Sequence, residues 1–137
     1  MEQLNRSELR QKIMTILYQI SICENNKITY DVNDLIKNIL EIDNDFVKEM
    51  VYGVITNRNK IDEYANKYLE NWSLDRLGNT DQAILRMAIY ELMYTKTPSV
   101  VVINEAVELA KLYSDDAVKG MINSVLDKIY HEEKDGE

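Results

Sequence analysis

Cys23, Pro98, Trp72, Phe46 and His131 are each the sole residue of their kind in this 137-residue chain. A lone cysteine rules out a disulfide framework and fits a reducing compartment. One cysteine and one histidine do not build a zinc site without carboxylate help. A di-iron carboxylate bundle is excluded as well, because it needs two Glu-x-x-His pairs. The four glycines stand far apart, at positions 53, 78, 120 and 136, so no glycine-rich loop can cradle a phosphate. Long apolar runs are missing too. The longest aliphatic stretch, Val100 to Ile103, is far too short to span a bilayer, and the N-terminus is polar where a signal peptide would be apolar. A cytoplasmic protein without a membrane partner is expected.

Few glycines and a single proline leave few breaks, and no stretch alternates with a period of two. The expected fold class is all-α. Leu9, Ile13, Ile16, Leu17 and Ile20 form one apolar stripe on a first helix, about Asn5 to Cys23. A second helix runs about Val32 to Leu40. Asp43 to Asp45 supplies a cap and negative charge for a long third helix, about Asp45 to Asn71. Gly53 lies inside it. A glycine there costs about 1 kcal/mol relative to alanine, which points to another helix approaching closely. Trp72 and Leu74 are expected to anchor the following junction in the core.

Asn79 or Thr80 caps the next helix, with Asp81 in its first turn. The segment from Ala83 to Met93 is apolar nearly all round, as suits the middle of a bundle. "TKTPS" breaks it. A fifth helix carries Ile103, Ala106, Val107 and Ala110 inward. Ser114 is expected to cap the last, whose buried face runs from Val118 to Ile129. The closing "HEEKDGE" reads as a frayed, charged tail.

The chain is acidic, with 24 acidic against 16 basic residues and a formal net charge of -8. Its opening helix is nevertheless locally basic. Arg6, Arg10, Met14 and Tyr18 follow one another four apart, on a ridge at the border of the apolar stripe. Two guanidinium groups and a phenol in line suit single-stranded RNA, since arginine grips phosphate and tyrosine can stack on an unpaired base. Solvated arginines that pair with Glu2 or Glu8 fit the same pattern. Glu91, Glu105 and Glu108 sit on helices without a nucleophile or metal beside them. They suit structural or solvated roles better than catalysis, so no catalytic residue, metal site or cofactor is assigned.

"VVINEAVELAKLYS" followed by "MINSVLDKI" resembles the C-terminal signature of the NusB family of transcription antitermination factors. "AILRMAIYEL" resembles the family's central helix, "MVYGVITNRNKID" and "NWSLDRL" its middle, and "RQKIMTILYQ" its opening. The similarity covers nearly the whole chain in the family's order. It implies a compact helical domain of two packed three-helix bundles, the N-terminal one about residues 1–72 and the C-terminal one about 79–131.

It further implies binding of the boxA element of ribosomal RNA transcripts, jointly with the ribosomal protein NusE, as part of an antitermination complex on RNA polymerase. Arg6 and Arg10 match the family's RNA-contacting segment. Tyr18 matches an aromatic near both RNA and NusE, and Ile22 lies one turn further along the same helix, on the expected partner side. Tyr68 matches another aromatic near RNA, and Asp81 an acidic position near the joint surface. Met121 stands where many members have phenylalanine, in a stacking position, and Ser124 replaces a common glycine. Ser7 and Glu8 stand among the matched arginines where basic residues are frequent in the family.

The diluted cluster keeps a second reading open, a helical protein-interaction module with weak or no RNA binding of its own. Related helical domains precede the catalytic domain of some ribosomal RNA cytosine methyltransferases, but the chain has no βαβ pattern and no cofactor loop. Oligomeric state stays open between monomer and homodimer.

Overall fold

The computed structural model of the chain describes residues 4–134. The described residues form seven α-helices and one short 3-10 turn, with no strand. The helices are α1 (Arg6–Asn25), α2 (Val32–Ile39), α3 (Asp45–Thr56), α4 (Arg58–Tyr68), α5 (Asn79–Tyr94), α6 (Ser99–Tyr113) and α7 (Asp116–Glu133); the 3-10 turn spans Leu74–Arg76.

Short polar side chains start most of these helices. Asn5 Oδ1 accepts the Glu8 amide at 2.8 Å while Glu8 Oε1 accepts the Asn5 amide at 3.1 Å, a reciprocal capping box. Glu8, the single acid in the basic opening stretch, thus has a local structural task. Asp31 and Asn44 cap α2 and α3 in the same manner, each accepting a backbone N–H at 3.0 Å.

Helix α5 is the axis of the fold. Every residue from Ala83 to Leu92 is buried, and α5 packs against α1, α3, α4, α6 and α7. Ile84, Leu85, Ile89 and Leu92 have no solvent exposure, each burial being favourable by about 1.5–3 kcal/mol. Two charged struts pass through this apolar packing. Arg86 reaches Asp62 on α4 at 2.9 and 3.1 Å, and Arg10 on α1 reaches Glu91. At Gly53 the reason for a mid-helix glycine is visible. A Cβ built there would overlap the Tyr90 ring, so α3 and α5 approach through the missing side chain.

Several expectations are corrected. The long helix expected over Asp45 to Asn71 is two helices. At Asn57 both the backbone N–H (3.0 Å) and the side-chain Nδ2 (2.8 Å) donate to the Gly53 carbonyl, closing α3 before α4 departs. Leu40 is the residue after α2 rather than its last turn. Trp72 is 53% exposed; Leu74 alone takes the buried place in that junction. Gly78 precedes α5 with no side-chain cap, in place of Asn79 or Thr80. Asp115 caps α7, accepting the Val118 amide at 2.9 Å, and frees Ser114 to donate its hydroxyl to Asp81. The charged tail is helical through Glu133, and the Lys134 ammonium donates to the Leu92 carbonyl at 2.7 Å; residues 135–137 of the expected frayed segment lie outside the described residues, as does Glu2.

Candidate nucleic-acid and partner interface

The ridge on α1 does not stay on the surface. Arg6 is exposed, with its guanidinium 3.9 Å above the Phe46 ring centroid on α3, a cation–π seat that fixes where the charge stands. One turn on, the ridge dips inward. Arg10 is 4% exposed, and Met14 is buried with it. Arg10 Nε and Nη2 donate to the two carboxylate oxygens of Glu91 at 2.9 and 2.5 Å, and Nη1 donates to Glu105 Oε1 at 2.9 Å. Ser7 Oγ donates to the same Glu105 oxygen at 2.5 Å. Burial alone would lower the Arg10 pKa, but the hydrogen bonds Arg10 donates to Glu91 and the charges of Glu91 and Glu105 outweigh it and raise the value. The expected exposed guanidinium at Arg10 is therefore corrected: the group joins α1 to α5 and α6. Tyr18, further along the ridge, returns to the surface at 38% exposure, and Ile22 is half-buried. Arg6 and Tyr18 are twelve residues apart, which is about 18 Å of helix rise.

A second group of expected residues converges. Tyr68 from the end of α4, Asp81 from the first turn of α5 and Met121 from α7 line one cavity of about 450 Å³, with Ser124 on its α7 side. The volume lies in the range of small-molecule sites. Each wall is held by identifiable bonds. Tyr68 donates its hydroxyl to Glu133 on α7 at 2.5 Å, and Lys67 donates to the same oxygen at 2.8 Å. The hydrogen bonds from Lys67 and Tyr68 hold the Glu133 carboxyl below its ordinary range, and Glu133 in turn raises the Tyr68 pKa. Asp81 accepts from Ser114, which ties the start of α5 to the turn between α6 and α7. Asn25, one turn beyond Ile22 at the close of α1, donates to Asn79 at 3.2 Å, two residues before Asp81, and so ties the end of α1 to the start of α5.

Sequence reasoning missed several contributors. Trp72, read as core, stands on the rim of the cavity, and Arg76 and Lys128 bring positive charge to it. Leu112 and Tyr113 at the end of α6 are exposed, and the Tyr113 hydroxyl donates to Gln11 on α1 at 3.4 Å. Phe46, half-buried and packed against the core, is the platform under Arg6. A polar run around a lone tryptophan, "ENWSLDR", is the one sequence signal that sets Trp72 apart from Leu74. Among the described residues no group of three or more His, Cys, Asp and Glu side chains is placed to hold a metal ion, and no helix is long and apolar enough to cross a membrane.

Comparison with known proteins agrees over nearly all of the described fold. The chain matches the model of the NusB family over residues 7–131. It is 41% identical to the transcription antitermination protein NusB of Macrococcus caseolyticus, over 92% of this chain and 96% of that protein. It is 38% identical to the NusB of Listeria innocua, over 96% of this chain and 100% of that protein. Among solved structures it is similar to T. maritima NusB, with a TM-score of 0.82 at 32% identity over 96% and 94% of the two chains. It is also similar to a chain of a complex of the antitermination factors NusB and NusE with double-stranded RNA, with a TM-score of 0.77 at 27% identity over 91% and 95% of the two chains.

Proposed function

The chain belongs to the NusB family, and on that premise we propose that it is a transcription antitermination factor that binds the boxA element of ribosomal RNA transcripts jointly with the ribosomal protein NusE. Its setting is the antitermination complex on RNA polymerase, in the cytoplasm. The observation that carries this reading is the convergence of Tyr68, Asp81 and Met121, separated widely in sequence, on one cavity of about 450 Å³. In the two-bundle division, with an N-terminal bundle of about residues 1–72 and a C-terminal one of about 79–131, that cavity takes lining from both sides.

The roles follow from exposure. Arg6, seated on Phe46, offers a phosphate contact. Tyr68 and Met121 offer apolar surface to bases, Met121 as a flexible and polarizable substitute for an aromatic ring. Tyr18 and Ile22 dock NusE, with Asp81 beside the joint surface, and Tyr18 stands close enough to the boundary to serve RNA as well. Arg10 acts as a positioning residue. It is held by Glu91 and Glu105, and fixes the helix that carries Arg6 and Tyr18.

With a net charge of -8 the protein has little general attraction for phosphates. Tight RNA binding therefore depends on a basic partner that completes the surface. The burial of Arg10 favours one competing reading, a protein-interaction module that binds NusE and has no useful RNA affinity. Titration of labelled boxA RNA with and without NusE decides. Binding that is much tighter with NusE present supports the proposal. NusE binding unaccompanied by any RNA binding, in either arm, supports the interaction module.

A further inference from the structure

Two aromatic rings line the large cavity, and they differ in how much of each is already engaged. Tyr68 gives its hydroxyl to Glu133, and the Lys67 ammonium lies 5.3 Å from its ring centroid. Trp72 is 53% exposed and, among the described residues, its ring and its N–H have no partner. An isolated exposed apolar side chain needs no explanation. This one, however, stands at the mouth of a cavity and on a loop that is held in place. Asn71, just before it, takes a left-handed backbone conformation with φ 64°, which turns the chain out of α4. Asn66 Oδ1 accepts the Leu74 amide at 2.8 Å, and the Leu74 side chain is buried, so the loop is pinned on the far side as well.

The charges around the cavity are not equivalent. Lys128 is paired with Glu70 at 3.0 Å, and Asp81 accepts from Ser114. Arg76, four residues after Trp72 and on the same cavity, has no side-chain partner among the described residues. An unstacked indole on a pinned loop, with an uncommitted guanidinium on the same cavity, complements a nucleotide whose base is free: the ring offers a face to the base and the guanidinium a fork to the phosphate.

We propose that Trp72 is the stacking platform for one unpaired RNA base, with Arg76 taking a phosphate of the same nucleotide. The inference rests on the reading that this cavity faces RNA, and it adds the two residues that hold a base there.

Trp72 is the chain's only tryptophan, so its own fluorescence reports on the site without a mutation. The whole 137-residue chain, preassembled with NusE, is titrated with single-stranded boxA RNA. Tryptophan emission is read as the difference from NusE alone, and anisotropy of end-labelled RNA is followed in parallel. Quenching of Trp72 that tracks the anisotropy is expected, with far less quenching by the same sequence as a duplex, whose bases are already stacked. Trp72→Ala should weaken RNA binding by about 5- to 150-fold, the effect of one lost base–aromatic stack, and Trp72→Phe should retain most of it. Arg76→Ala should flatten the log-affinity against log-salt slope by about 0.7. RNA binding with unchanged Trp72 emission and an unaffected Trp72→Ala variant overturns the inference and leaves the RNA-binding reading standing. No RNA binding with or without NusE ends both. A Trp72→Ala variant that loses NusE in the absence of RNA makes Trp72 a protein contact and also overturns it. Should Trp72→Ala lose its helical circular dichroism, the quenching of the parent protein and the affinity of Trp72→Phe decide.

Discussion

Arg10 grips both carboxylate oxygens of Glu91, at 2.9 and 2.5 Å, from a helix 81 residues away in sequence, and both side chains are nearly inaccessible to water. Glu91 is 2% exposed, in a stretch of α5 that is apolar but for Arg86, which is taken by Asp62, and an ionised carboxylate there needs a cation. Arg10→Ala should therefore destabilise the fold by about 3–5 kcal/mol, the cost of leaving one member of a buried pair alone. In urea unfolding the midpoint should fall with an unchanged slope. The double variant Arg10→Met with Glu91→Leu, which removes both charges, should be less damaging than the single alanine. A single variant as stable as the parent would show that Arg10 is dispensable to the packing of α1.

Gly53 gives a second test of the core. The Tyr90 ring occupies the volume where a Cβ would be, and that ring is itself buried and stacked on Tyr94 with centroids 5.3 Å apart. Alanine at 53 gains about 1 kcal/mol of helix propensity but overfills the contact, which costs about 1–3 kcal/mol. Net destabilisation in a denaturant titration is expected, and Tyr90→Leu should relieve it. A stabilised Gly53→Ala protein would mean that α3 and α5 have room to separate.

The helical class, the central position of the helix from Ala83 to Met93 and the close approach at Gly53 were legible, because each leaves a local mark in the sequence: few breaks, an apolar surface nearly all round, a glycine inside a helix. Arg10 shows where that ends. Its ridge position makes it a border residue, and whether a border residue meets water depends on where α5 and α6 pack. A usable signal existed, since a glutamate inside a largely apolar helix calls for a cation on a neighbouring stripe, and Arg10 was available. Asn57 breaks a pattern that keeps its apolar period on both sides, so periodicity did not register the boundary; a 27-residue helix is long against a usual 10–14, and that was the warning. Trp72 and Leu74 are both large and apolar, and only the turn at Asn71 decides which one enters the core. The cavity that gathers Tyr68, Asp81 and Met121 came from the family resemblance as a set of separate positions; their convergence is a property of the packing of α4, α5 and α7.

Acid should loosen the wall of that cavity. The hydrogen bond from Lys67, then that from Tyr68, holds the Glu133 carboxyl below its ordinary pKa, with burial opposing. A carboxylate depressed in the folded state contributes stability that is present above its unfolded pKa, about 4.3, and is lost as pH falls through the lower folded value. Amide exchange in the last turn of α7 and the Tyr68 ring resonances should therefore stay constant near neutrality and change only below about pH 4. Glu133→Gln should weaken the link to Lys67 and abolish that acid transition. A transition that survives in Glu133→Gln would assign it to another carboxylate.

The opening helix offers a contrast between charge and contact, and it has to be drawn with Arg6 alone. Replacing Arg10 as well would unsettle α1, so any loss of binding would report the fold rather than the surface. Arg6 is exposed, lies in the first turn and rests its guanidinium on the Phe46 ring, so Arg6→Ala should leave helical circular dichroism and the unfolding midpoint close to the parent's. In the presence of NusE it should weaken boxA binding and flatten the salt slope by about 0.7, the signature of one lost phosphate contact on a single strand. Tyr18→Ala has no charge to lose. Calorimetry with NusE alone should show weakened binding, and RNA affinity should fall by about 1–3 kcal/mol if a base stacks on the ring, with the slope unchanged. If Arg6→Ala binds boxA as tightly as the parent with the same slope, the basic opening of this acidic chain is a solvated helix end. Whatever phosphate contacts exist would then lie with NusE and with the cavity around Arg76.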